Sequence, residues 1–151
     1  MIKRFALFVC VLLAASAARG DITTKKFDWE PASGIQHVDF QWSGLSVAQI
    51  EWNLGSRVKP LDVSTASASV RLDNNSRTDM VVGIAIAVFD ENGNLIAAGS
   101  GGNKVGHLNK GDRDDFRVAF PYVYRNLANA KTFLITLETN EPNWKDKEKR
   151  R

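Results

Sequence analysis

Residues 80–89 read MVVGIAIAVF, and no other stretch limits the fold as strongly. In an extended chain, alternate side chains point to opposite faces. Met80, Val82, Ile84, Ile86 and Val88 then share one face, and Val81, Gly83, Ala85, Ala87 and Phe89 share the other. Both faces are apolar, which predicts a central strand with something packed on each side. The second face is small and forms a shallow trough. Either the chain's own aromatic residues fill it, such as Trp29 or Trp42, or another chain packs there; an open trough would be sticky.

The same period of two recurs along the chain. In VSTASASVRL, Ala66, Ala68, Val70 and Leu72 fall on a core face, while Val63, Thr65, Ser67, Ser69 and Arg71 fall on the opposite one. Val38, Phe40 and Trp42 alternate, as do Ile50, Trp52 and Leu54, Phe116, Val118 and Phe120, and Phe133, Ile135 and Leu137. Short alternating runs separated by turn residues predict an all-β protein, an antiparallel sandwich or barrel in a single domain. Only PYVYRNLANA, residues 121–130, suggests a helical turn.

The ends differ from this body. Lys3 and Arg4 precede the apolar run FALFVCVLLAA, which is too short to span a bilayer. Small residues follow, so residues 1–20 read as a secretory signal cut after Ala17 or Ala18, with Gly20 a poorer site. The expected location is the periplasm or the cell exterior. Cys10, the chain's only cysteine, would leave with the signal. A domain of residues 21–140 is long enough to fold without disulfides. The formal charge of +3 comes from Lys3, Arg4 and Arg19, since the remainder carries 17 bases against 17 acids. Net charge therefore gives no argument for nucleic acid. No second apolar run reaches membrane-spanning length. Residues 141–151, EPNWKDKEKRR, lose the alternation and read as a charged tail.

Two turn-like stretches invite a site. Asp90-Glu91-Asn92-Gly93 between apolar runs is a hairpin signal, with Asp90 capping and Gly93 free to take a positive φ. A calcium loop would need glycine in sixth place and a distant bidentate glutamate, and this stretch has neither. The run GSGGNKVG, residues 99–106, has neither dinucleotide-loop nor P-loop spacing, and no helix pattern follows it. It is expected to be a mobile connection between strands. Asn74-Asn75-Ser76 matches a glycosylation sequon in a turn.

Residues 68–120 resemble the FxLYD-type and related immunoglobulin-like domains of exported bacterial proteins. The likeness rests on a strand ending at Asn74 or Asn75, the pair Phe89-Asp90, the D-x-x-G turn from Asp90 to Gly93, the L-x-x-G run from Leu108 to Gly111, and Phe116. The chain departs in carrying Val88-Phe89 where those domains have a tyrosine before the aspartate. The resemblance implies an immunoglobulin-like antiparallel β-sandwich and brings no catalytic residue with it.

Chemistry-bearing residues are sparse. His37 and His107 are the only histidines, 70 residues apart, and no metal-ligand spacing accompanies them. His37 and Asp39 share a strand face and suggest a surface pair. No G-x-S-x-G elbow is present. The acid-dense GDRDDF, residues 111–116, reads as a charged turn entering a strand. Trp42 and Trp52 fit core positions, whereas Trp29 and Trp144 lie in less regular segments where an exposed ring could contact protein or carbohydrate.

These readings point to an exported, non-enzymatic binding protein with no cofactor or metal. Its expected partner is another envelope or secreted protein, or a second copy of itself. The expected contact surface is Val81, Gly83, Ala85 and Ala87, with Asp90, Asn92 and Gly93 at the turn. Two other readings stand beside it: a carbohydrate-binding module using Trp29 or Trp144, and a hydrolase using His37 or His107.

Overall fold

A computed structural model describes residues 21–31, 34–55, 65–103, 106–123 and 127–142. The proposed signal, Trp144 and most of the tail lie outside these residues, as does Val63.

Eight strands form one antiparallel sheet in the order β1-β8-β5-β6-β7-β4-β3-β2. They are β1 (Asp21–Asp28), β2 (Ile35–Trp42), β3 (Leu45–Asn53), β4 (Ser67–Asn74), β5 (Val81–Phe89), β6 (Leu95–Gly102), β7 (Arg113–Ala119) and β8 (Thr132–Asn140). A single 3₁₀ turn, Leu127–Asn129, is the helical piece that residues 121–130 suggested. The sheet curls until it is nearly a barrel. Its end strands meet through side chains rather than a ladder: Lys25 Nζ donates to the Asp39 carbonyl, and Gln36 Nε2 donates to the Asp28 carbonyl, each at 2.6 Å. Capping free backbone acceptors with side chains blunts two edges that would otherwise invite pairing.

The curl encloses one core, which the alternating residues fill. Ala66, Ala68, Val70, Leu72, Val82, Ile84, Ile86, Val88, Phe116, Val118, Phe120, Phe133, Ile135 and Leu137 are all buried. Leu54 departs from its expected place: it follows the end of β3 and is 46% exposed. The aromatic residues gather at one end of the core. Trp52 lies 4.4 Å from Trp29 and 5.2 Å from Phe133, centroid to centroid.

The first four residues of the glycine run, 99–102, are strand and not a loose connection. Gly99, Gly101 and Gly102 belong to β6, at the corner where the sheet bends from β6 to β7. One pair, Ser100 with Ala119, is the whole ladder there. A Cβ on Gly99 would sit 2.2 Å from the Ala119 carbonyl oxygen, and one on Gly101 would sit 2.5 Å from that of Arg117. Only glycine lets the two backbones come this close. The corner divides the sheet into two halves, β1-β8-β5-β6 and β7-β4-β3-β2.

Candidate interaction face

β5 is central, paired with β6 on one side and β8 on the other. Its inner side chains are buried, so Val81, Gly83, Ala85, Ala87 and Phe89 point outward. The register builds rows across four strands. Ile22, Glu138, Gly83 and Gly102 form one row. Thr24, Thr136, Ala85 and Ser100 form the next, with the two threonine hydroxyls 2.8 Å apart. Lys26, Leu134, Ala87 and Ala98 form the third. The result is a face of mostly small and apolar residues, with Lys26 and Glu138 near its β1 border.

No described residue covers this face. The aromatic residues expected to fill the trough pack elsewhere. Trp29 lies against Trp52 and Phe133 inside the curl, and Trp42 packs against the same core. The reason is topological: both follow from strands at the free edges, β1 and β2, whose inward positions lead into the core rather than around the sheet.

Gly83 stands out among the described glycines. The others have a positive φ, or a backbone atom within 3.0 Å of where a Cβ would be, or both. A Cβ on Gly83 would make ordinary contact with Glu138, 3.5 Å from its Cβ. A glycine inside a strand costs roughly 0.5–1 kcal/mol relative to alanine. The fold gains nothing from that cost at Gly83, and such a glycine is one mark of a close approach by another backbone or ligand.

The turn residues do not join the face. Asp90 is buried, and its carboxylate holds its own turn together. Its Oδ1 accepts from the backbone N–H groups of Asn92 (3.0 Å) and Asn94 (2.9 Å), while Asn94 Nδ2 donates to both carboxylate oxygens at 3.1–3.2 Å. Gly93, at φ 77°, closes the turn by donating to the Asp90 carbonyl. Asp90 is the turn cap its position suggested, and at 6% exposure it offers little surface to a partner, while Asn92 and Gly93 are exposed at the hairpin tip. The same carboxylate that a calcium ion would need holds the backbone of the turn.

At the opposite end of the barrel, Asn74 is fully buried at the end of β4. Its Nδ2 donates to the carbonyls of Thr78 (2.9 Å) and Leu108 (3.1 Å), and its Oδ1 accepts from the N–H and hydroxyl of Ser76. The sequon asparagine thus fastens two loops together and offers its nitrogen to no glycan in the folded state. Nothing in the sequence distinguishes this buried asparagine from an exposed turn residue, so its role was missed. Nearby, Arg77, Thr78, Asp79, Lys110, Glu141 and Pro142 line an open cleft of about 350 Å³. His107 Nε2 lies 3.4 Å from Asp79 there, while His37 is exposed on β2 beside Asp39. Among the described residues, no three His, Cys, Asp or Glu side chains come together as a metal site.

The chain matches no protein-family model, and no curated protein shows significant similarity to it.

Proposed function

We propose that this chain is an exported, non-enzymatic binding protein whose contact surface is the outer face of β5 and its neighbours. The observation that carries the reading is the uncovered row of Val81, Gly83, Ala85 and Ala87 on a central strand. A central strand with small apolar side chains on its outer face is suited to a second layer, and the described chain supplies none. Residues 1–20 support export, because their basic start, apolar run and small residues follow the secretory pattern. The finer architecture we propose is an immunoglobulin-like sandwich, with the two halves of the sheet packed face to face. The single ladder pair at the β6–β7 corner supports that division.

The test compares wild type with Gly83→Arg by crosslinking in living cells. The arginine would extend outward beside Glu138 without disturbing the core, so strand content should be unchanged by circular dichroism. A crosslinked species present in wild type and absent from the variant is the expected outcome. Identical crosslinked species in both proteins would remove the β5 face as the contact surface.

A further inference from the structure

Resting on that reading, the geometry points to a second copy of this chain as the occupant of the β5 face. The face is self-complementary. Lys26 stands in the third row and Glu138 in the first, with the Thr24–Thr136–Ala85–Ser100 row midway between them. A two-fold axis lying along that middle row, between two copies face to face, reverses the order of the rows. Lys26 of each copy then reaches the first row of the other, beside the second copy's Glu138. The ion pair forms twice, and no like charges meet. Ala85 lies against the second copy's Ala85, and Gly83 lies against the second copy's Ala87. Small side chains at both positions let the two sheets approach more closely than larger ones would. Ile22, 64% exposed in the first row, comes under the aliphatic stem of the second copy's Lys26.

The charge pattern decides between a second copy and an unrelated chain. A surface of one sign would satisfy only one of Lys26 and Glu138, whereas the two-fold satisfies both with the same pair of residues, which favours a second copy. The size of the patch sets the strength. Four strands about 4.8 Å apart and three rows about 6.8 Å apart span on the order of 400 Å². Over both copies that is about 800 Å², below the roughly 1,200–2,000 Å² of stable complexes, so the pair is a weak, transient one that should form at high concentration and separate on dilution.

The test places a cysteine at the axis. In the full chain carrying Cys10→Ser, Ala85→Cys is compared with Ser69→Cys, which lies on the outer face of the other half. Each is treated with a short bifunctional maleimide. Residue 85 should crosslink to its copy at least about tenfold faster than residue 69, because the complex raises its effective concentration. Adding Lys26→Glu should remove that advantage, and adding Glu138→Lys as well should restore it. Equal rates at 85 and 69 would overturn the second copy as occupant. If a different crosslinked species still vanishes with Gly83→Arg in cells, the face remains a docking surface for another protein. If no species depends on Gly83, both readings fall.

Discussion

The two halves of the sheet turn very different outer faces outward. On β7-β4-β3-β2 most outward positions are charged or polar, with Ile35, Ala48 and Ala119 as the exposed apolar ones. Arg71 pairs with Asp115 at 3.1 Å, Arg113 pairs with Asp73, and Glu51 and Arg117 flank Ser69. The hydrogen bond to Asp73 holds the Arg113 guanidinium above its usual range, with the Asp73 charge adding to it. The contribution of a raised group is lost only as pH climbs past its folded value, so this arginine stays charged at any ordinary pH. On β1-β8-β5-β6 the outward positions are Gly83, Ala85, Ala87, Ala98, Ser100 and Thr136, with charge confined to the β1 border. Both faces belong to one sheet with one core. Folding alone therefore does not account for the difference: a charged face on β5 would fold as well and be less adhesive. The difference supports the proposal that one half stays solvated and the other is covered by a partner.

The largest test of that comparison attacks the corner separating the halves. Gly101→Val would press its side chain into the Arg117 carbonyl and should destabilise the protein by more than about 3 kcal/mol, seen as a fall in the urea midpoint. Gly83→Val, a glycine of the same sheet on the open face, should be neutral or stabilising by up to about 1 kcal/mol. Equal losses at the two positions would mean that Gly83 serves the fold after all.

Asn74→Ala comes next. It removes the two hydrogen bonds to the Thr78 and Leu108 carbonyls and the acceptor of the Ser76 N–H and hydroxyl, at a fully buried position, and should cost about 2–3 kcal/mol, again by denaturant unfolding. Asp90→Ala should cost about 1–2 kcal/mol by freeing the N–H groups of Asn92 and Asn94. The wild-type melting temperature should not move with added calcium. A calcium-dependent rise that Asp90→Ala abolishes would restore the turn as a cation site.

The smallest effects belong to the charged face. Arg71→Ala breaks a pair that is largely exposed and should change stability by less than about 0.5 kcal/mol. It should leave crosslinking unchanged, whereas Ala85→Arg on the other face should abolish crosslinking at similarly small cost to stability. Loss of association from Arg71→Ala would reverse the assignment of the two faces.

Much of this was legible before the structure. Residues 80–89 announce a two-faced apolar strand by their types alone, and the alternation at Ala66–Leu72 and Phe133–Leu137 names core residues that are indeed buried. The Asp90–Gly93 turn follows from the residues it needs. Three things were not legible. GSGG looks the same in a loose loop and in a tight corner, because a glycine's contacts depend on which strand crosses it. Asn74 reads as a turn residue because its partners, Thr78 and Leu108, become neighbours only when two loops fold together. The destination of Trp29 depends on which strands form the edges, whereas Trp42 packs against the core as its alternation suggested.

The sequence by itself determined the strand periodicity, the all-β class, the hairpin turn and the charge balance, because each follows from local preferences and from which side of a pleat a residue occupies. Tertiary structure alone decided that Gly99 and Gly101 form a corner, that Asn74 is buried between two loops, and that no described residue packs on the β5 face. Those outcomes depend on strand order, and strand order is set by how eight amphipathic strands close around a shared core, a contest among long-range pairings that no single stretch contains.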